Sequence, residues 1–274
     1  MIAVPFSRRQ VAASFTRSAA SYDAAAVLQA EVGSRLAERL ELTTLAPQGV
    51  LDLGCGTGRM LPRLARIYPR AMFVAADIAA AMLARASDRP DLPRHCTLVC
   101  ADAEHLPFAD AAFDLVFSNL TLQWCPDPEQ AFREARRVLA ERALYLFTTF
   151  GPDTLGELRA AWSGVDEYTH VNPFYDMHDL GDALIRAGFV EPVMDVEYLT
   201  LTYADVRSLM RDLKAIGAHN LNADRSHGLT GRGRLAAMEA AYERFRTSGR
   251  LPATYEVIYG TAWTPVWLPR RGER

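Results

Sequence analysis

The stretch Val50-Leu51-Asp52-Leu53-Gly54-Cys55-Gly56-Thr57-Gly58 decides how this chain is read. A short apolar run meets glycines at alternate positions, and the pattern from Arg59 to Ile67 behind them is helical. That is a buried strand entering a tight turn before a helix. Such a turn needs residues without a Cβ, so that the backbone can bend sharply and lie against a ligand. The helix points its N-terminal amides at the same place. A dinucleotide site would show G-x-G-x-x-G, but Arg59 stands where the third glycine belongs. The pattern present is D-x-G-x-G-x-G.

Three acid- or polar-ended strands follow at βα spacing. Asp77 closes Met72-Phe73-Val74-Ala75-Ala76-Asp77-Ile78. An acid about twenty residues past the glycines is placed to accept hydrogen bonds from ribose hydroxyls, or to cap the helix over 79–86. Asp102 ends Leu98-Val99-Cys100-Ala101-Asp102-Ala103, and Phe113-Asp114-Leu115-Val116-Phe117-Ser118-Asn119-Leu120 is a fourth strand. In this order the motifs resemble the class I S-adenosylmethionine (SAM)-dependent methyltransferases. The resemblance implies SAM as cofactor, held by Asp52, Gly54, Gly56, Gly58, Asp77, Ile78, Asp102, Ala103 and Asn119. It puts Asp102 at the adenine amino group and the end of the fourth strand beside the methyl donor.

Strands at 50–53, 72–77, 97–102, 113–120 and 143–150 alternate with helical patterns, which predicts a parallel sheet with right-handed crossovers. Two later runs, 193–203 and 254–263, are rich in β-branched and aromatic residues. They are expected to pair antiparallel and complete a seven-stranded, mostly parallel, Rossmann-like α/β sheet with an antiparallel last strand. One domain of 274 residues is expected: an N-terminal helical lid over 1–49, a core over 50–150, and insertions at 151–175 and 204–253. The second insertion reads as a helix carrying Val206, Leu209, Met210, Leu213 and Ile216, a glycine-rich loop at 228–233, and a helix over 234–245. Both insertions should gather over the C-terminal edge of the sheet, where ligands bind in this architecture.

At 50% hydrophobic residues the chain can bury one sizeable core. A net charge of −3 and a pI near 6.1 argue against a general nucleic-acid binder. No apolar run reaches the roughly 20 residues that span a bilayer. Cys55, Cys96, Cys100 and Cys125 have no second ligand pair for zinc, and no histidine spacing suggests a metal, so reduced thiols and a cytoplasmic enzyme without metal are expected. Residues 1–22 carry Arg8, Arg9 and Arg17, several serines and no acid, a composition like that of a mitochondrial transit peptide. The competing reading is an amphipathic helix whose Phe6, Val11 and Phe15 cover the cofactor cleft. That reading is preferred, because the segment runs unbroken into Ser21-Tyr22-Asp23.

A narrower resemblance covers the chain from Phe15 to Trp263. Leu122-Gln123-Trp124, Thr149-Phe150-Gly151-Pro152-Asp153-Thr154-Leu155-Gly156-Glu157-Leu158-Arg159, His170-Val171-Asn172-Pro173-Phe174, Leu213-Lys214-Ala215-Ile216-Gly217-Ala218-His219-Asn220 and Pro252-Ala253-Thr254-Tyr255-Glu256-Val257 are similar to the malonyl-acyl-carrier-protein O-methyltransferases of biotin synthesis. Leu139-Ala140-Glu141-Arg142-Ala143 departs from the Pro-Gly-Gly turn of relatives and is expected to alter a loop.

The resemblance implies methylation of the free carboxylate of a malonyl thioester, with acyl carrier protein as partner. A carboxylate is ionised at neutral pH, so no general base is required. One arginine or histidine plus neutral donors should orient it, rather than a cationic cage. The candidates are Tyr22, Gln123, Trp124, Arg159 and His170, each with a packing, turn-forming or solvated-surface role as its alternative. Lys214, His219, Asn220 and Arg225 are weaker candidates for acyl or carrier contact. Arg207, Arg211, Lys214, Arg225, Arg232 and Arg234 would offer a locally basic face to an acidic carrier, or form an ordinary solvated surface. Competing readings are a small carboxylic acid or malonyl-coenzyme A as acceptor, and a methyltransferase-fold protein of the kind that assembles respiratory complex I.

Overall fold

The computed structural model describes residues 6–218 and 231–266. Along the chain lie α1 (Arg8–Ser18), α2 (Tyr22–Ala25), α3 (Val27–Leu40), β1 (Gly49–Leu53), α4 (Leu61–Ile67), β2 (Met72–Asp77), α5 (Ala80–Ser87), β3 (Cys96–Cys100) and β4 (Phe113–Ser118). There follow α6 (Pro128–Val138), β5 (Leu139–Phe150), α7 (Gly156–Trp162), α8 (Met177–Arg186), β6 (Val190–Tyr203), α9 (Val206–Ala215), α10 (Arg232–Tyr242) and β7 (Leu251–Trp263). Short 3-10 turns occupy Leu122–Trp124 and Glu243–Phe245.

The seven strands form one sheet in the order β3-β2-β1-β4-β5-β7-β6. Neighbours from β3 to β5 run parallel, while β7 is antiparallel to both β5 and β6. The expected architecture therefore holds. The chain winds outward from β1 through β2 to β3, then returns to place β4 on the other side of β1. That reversal opens a crevice at the carboxyl ends of β1 and β4. On one face α3 and α4 bury Leu36, Leu40, Leu61 and Leu64 against the sheet. On the other, α6 and α8 bury Phe132, Val138, Leu180 and Leu184.

Two local expectations change. Helix α4 begins at Leu61 rather than Arg59, because the glycine turn runs further and Leu61 N donates to Gly58 O at 3.2 Å. Residues 139–143 belong to β5 instead of a loop. Pairing with β4 shifts from Phe113↔Leu139 to Leu115↔Leu144, and Arg142 takes a left-handed φ of 56°. The departure from Pro-Gly-Gly is thus absorbed as a strand irregularity.

The amphipathic reading of the N-terminus holds for α1, whose start is closed by a Ser7–Gln10 capping box. Helix α9 buries Val206 and Leu209, as its spacing predicts. Helix α10 starts at Arg232, so the glycine-rich loop is shorter at that end than expected; its 228–230 part lies outside the described residues. Helix α10 packs on α7, joining the two insertions. None of the helices, among the described residues, is long and apolar enough to cross a membrane. All four cysteines are unpaired.

Gly260 in β7 tests how tightly the sheet is packed. A Cβ there would stand 2.2 Å from the ring of fully buried Phe147. Gly260→Ala is expected to destabilise the fold by about 1–3 kcal/mol. Urea unfolding should show a lower midpoint at unchanged slope.

Candidate active site

The turn after β1 is tied to strands on both sides. Gly54 N and Cys55 N donate to Ala76 O of β2 at 2.8 and 3.0 Å. On the other side Leu53 O accepts from Ser118 Oγ at 2.9 Å and Thr121 Oγ1 at 3.2 Å. Gly54, Gly56 and Gly58 all have positive φ. Their missing side chains point to different places. A Cβ on Gly54 would fall 2.0 Å from Thr121 Oγ1, and one on Gly58 would fall 3.1 Å from both Ala86 and Leu61. A Cβ on Gly56 would meet only Tyr22, at 3.8 Å, and would stand in the cavity. Gly58, expected as a ligand contact, is therefore placed as a packing glycine.

Two acids lie under this turn. Asp77 accepts from Gly56 N at 2.9 Å and Ala79 N at 2.8 Å, so it shapes the turn and leads into α5 as well as bordering the cavity. Burial pushes its carboxyl up to about 6, against the pull of those two amides. Asp52 is 2% exposed, and its Oδ2 has no hydrogen-bond partner. Burial, and secondly the charge of Asp77, push it up to about 7. Two desolvated acids, one with an orphaned oxygen, make a site that favours a cation.

Ile78, Asp102, Ala103 and Asn119 border the same cavity. Asn119 is fixed by donating to Gln29 O and accepting from Thr148 Oγ1, both at 2.9 Å. Asp102 pairs with Arg8 of α1 at 2.9 Å and accepts from Glu104 N at 3.0 Å. Arg8 also bonds Glu104, which is 1% exposed and accepts from Asp127 N at 2.9 Å. This anchoring of α1 by Arg8 and Glu104 was not read from the sequence, where both look like ordinary surface charges. Behind Arg8, Phe6 and Phe15 pack on Trp124 with ring centroids 6.1 and 5.3 Å apart. Tyr22 packs on Phe15 and faces the cavity; burial, then Asp77 and Asp23, raise its hydroxyl above the ordinary range.

Trp124 also borders a second, largely apolar cavity of about 230 Å³. Its walls come from both insertions: Leu155, Leu158 and Trp162 on one side, Leu213 and Ile216 on the other, with Phe150 and Tyr255 from the sheet. His170 and Asn172 lie on this wall. The His170 ring stacks on Trp162, 3.7 Å between centroids and 7° from parallel, and its Nε2 lies 2.7 Å from Asp166 Oδ1. Despite its burial, the Asp166 carboxyl is held below its usual range by His170, the Tyr168 amide and Arg234. His170 is the only residue with a cationic form on this wall among the described residues.

The structure brings Tyr22, Trp124 and His170 to the two cavities but not Gln123 or Arg159. Gln123 is buried beneath, donating to Leu120 O at 2.7 Å and accepting from Thr149 Oγ1 at 3.2 Å. Arg159 is exposed on α7 and donates to Pro152 O and Thr154 O at 2.9 and 3.2 Å, bracing the loop before its own helix. His219, Asn220 and Arg225 lie outside the described residues. The sequence reading also missed Gln29, which lines the second cavity. The signal was present: Gln29 occupies the same helical face as Gly33, Leu36 and Leu40, a polar residue in an apolar stripe.

Residues 51–147 match the methyltransferase domain family. A malonyl-acyl-carrier-protein O-methyltransferase of Laribacter hongkongensis is 54% identical over 96% of this chain and 92% of its own length. One from Legionella pneumophila is 44% identical over 93% and 90%. Among solved structures, YcgJ of Bacillus subtilis superposes with a TM-score of 0.61 at 15% identity, covering 85% of this chain and 98% of YcgJ. The [4+2]-cyclase SpnF gives 0.54 at 25% identity over 87% and 81%. A cyclase among these neighbours shows that the fold does not by itself name the reaction. Sequence identity over nearly the full length is more specific: the chain belongs to the malonyl-acyl-carrier-protein O-methyltransferase family.

Proposed function

We propose that this enzyme transfers a methyl group from SAM to the free carboxylate of malonyl-acyl carrier protein. The observation that carries the reading is the pair of cavities meeting at Trp124, one bordered by the desolvated Asp77 and the other by apolar side chains. The first fits the cofactor. Asp77, with Asp52 in the adjoining cleft at the glycine turn, suits its cationic end, Gly56 leaves the room a Cβ would fill, and Asp102 with Ala103 and Ile78 offers an edge and wall for adenine. Bound there, SAM supplies an electrophilic methyl on a sulfonium that leaves as a neutral thioether.

The protein's own part is to position and to keep water out. The acceptor carboxylate is already ionised, with a reference pKa of about 4, so no residue need remove a proton. The side chains must hold one oxygen in line with the methyl, at roughly 3–3.5 Å. Phe6, Val11 and Phe15 cover the cofactor end and Trp124 the junction. In the dry space they enclose, an anion and a cation lose charge together, so exclusion of water favours the reaction. His170, held against Asp166 and Trp162, and the neutral side chains of Thr154, Asn172 and Tyr255 serve the acyl end.

In this reading residues 1–49 act as lid, 50–150 as cofactor core, and 151–175 with 204–253 as acceptor and carrier region. Arg207, Arg211 and Lys214 lie at i, i+4 and i+7 on the exposed face of α9, opposite Leu213, which lines the acyl cavity. Arg207 is bound to Glu239 and Arg234 to Asp166, which leaves Arg211 and Lys214 better placed to meet an acidic carrier.

Labelled-methyl transfer to malonyl-carrier, malonyl-coenzyme A and free malonate, side by side, tests the acceptor. Malonyl-carrier should give the highest kcat/KM, falling with added salt as exposed charge pairs are screened. Arg211→Glu with Lys214→Glu should raise KM for malonyl-carrier and change malonyl-coenzyme A turnover much less. Equal turnover of all three acceptors would shift the assignment to a small-acid methyltransferase.

For the cofactor, Asp77→Ala should weaken SAM binding about 5- to 150-fold, the loss of about 1–3 kcal/mol of charged hydrogen bonding. Gly56→Val should abolish binding while the protein remains folded; calorimetry with circular dichroism on each variant decides. SAM binding should also release protons. A cation beside Asp52 and Asp77 favours their ionised forms, so affinity should rise as pH climbs through about 6–7 and level off above about 8. Binding heats in buffers of different ionisation enthalpy would show this release near pH 6.5 and its disappearance near pH 8.5.

A further inference from the structure

Gln29 stands where the two cavities adjoin. It lines the acyl cavity beside Trp124, and also a small cleft at the glycine turn shared with Asp52, Gly56 and Asn119. Its backbone is pinned: Gln29 O accepts from Asn119 Nδ2, and Asn119 is itself held by Thr148. One turn further along α3, Gly33 lets the helix close on the end of β4, since a Cβ there would fall 2.9 Å from Asn119 Nδ2. The side chain is the opposite. Its Oε1 is buried without a hydrogen-bond partner, and its Nε2 makes no hydrogen bond to a described residue. A half-buried carboxamide whose buried oxygen is unpaired, on a fixed backbone, is unfavourable unless a ligand completes it. It can also rotate its terminal torsion without breaking a bond.

Three of the other side chains suited to orient a carboxylate are committed. Arg159 faces loop carbonyls, Gln123 bridges Leu120 and Thr149, and His170 is tied to Asp166 on the far wall. We propose that Gln29 donates, through Nε2, the hydrogen bond that holds the non-attacking oxygen of the acceptor carboxylate. The assignment rests on the carboxyl-methylation reading above. A neutral amide suits the task, because it fixes one oxygen while leaving the charge on the other largely available. A guanidinium would bind both oxygens and blunt the nucleophile.

Gln29→Leu and Gln29→Glu, assayed with the full-length enzyme at saturating SAM, test this. In both, SAM affinity by calorimetry and the thermal midpoint should stay close to wild type. With malonyl-carrier, Gln29→Leu should lose about tenfold or more in kcat/KM, the effect of one hydrogen bond to a charged group. Gln29→Glu should lose more, because it sets a second carboxylate against the first. A purely structural role would not move the next readout. With S-adenosylhomocysteine bound, wild type should bind malonyl-carrier more tightly than acetyl-carrier, which has no free carboxylate. Gln29→Leu should lose that preference. An active wild type whose variants keep the preference, or whose losses follow SAM affinity, overturns the assignment alone. A wild type that binds SAM but does not methylate malonyl-carrier overturns the function and this assignment with it.

Discussion

At the end of β1 the backbone has to leave the sheet while bonded to strands on both sides. Gly54 and Cys55 amides are held by Ala76 of β2, and the Leu53 carbonyl by Ser118 and Thr121 beyond β4. The space left at Gly54 is too small for a Cβ, and the chain passes through positive φ three times in five residues. This double tether lies at the point where strand order reverses, so the turn forms the floor of the crevice. It also brings Asp52 and Asp77 close together under cover. Their raised proton affinities and the orphaned Asp52 oxygen follow from that burial, and a cationic ligand satisfies both.

What stands above the floor is built by α1. One side of this helix reaches Asp102 and Glu104 through Arg8. Its other side meets the turn after α9, where Ser14 Oγ donates to Gly217 O at 3.0 Å and Ser21 Oγ, just beyond the helix, to Ala215 O at 2.8 Å. Gly217 has a positive φ, and a Cβ there would fall 2.7 Å from Ser18 Oγ, so the two elements fit closely. Helix α1 borders the first cavity, and Trp124, packed by Phe6 and Phe15, borders both. The second cavity owes its apolar character to elements far apart in sequence: α7, the end of α9 and the β5–β7 pair. The sheet is common to enzymes of different chemistry, and the second cavity comes from these additions rather than from the sheet alone.

Much of the fold was legible before the structure. The strand order of acids and glycines, the antiparallel late pair and the amphipathic stripes of α1 and α9 are local periodicities or backbone requirements, and they survive folding nearly unchanged. The floor of the crevice was legible for the same reason, since a glycine turn flanked by Asp52 and Asp77 is dictated by neighbours in sequence. The misreadings have a shared cause. Residues 139–143 were read as a loop because a missing turn motif does not reveal that β4 tolerates a shifted register.

The second cavity was less legible. Arg159 and Gln123 sit in the right segments, but their side chains turn to carbonyls and hydroxyls that only the folded chain supplies. Gln29 was overlooked because a glutamine in a helix ordinarily faces solvent, and nothing near it in sequence says that Asn119 and Trp124 will arrive beside it. Thus the sequence by itself determined the sheet, the glycine turn and the class of cofactor, because short-range backbone geometry sets them. Only the tertiary structure decided which polar side chains face the two cavities, because side-chain direction and burial depend on partners distant along the chain.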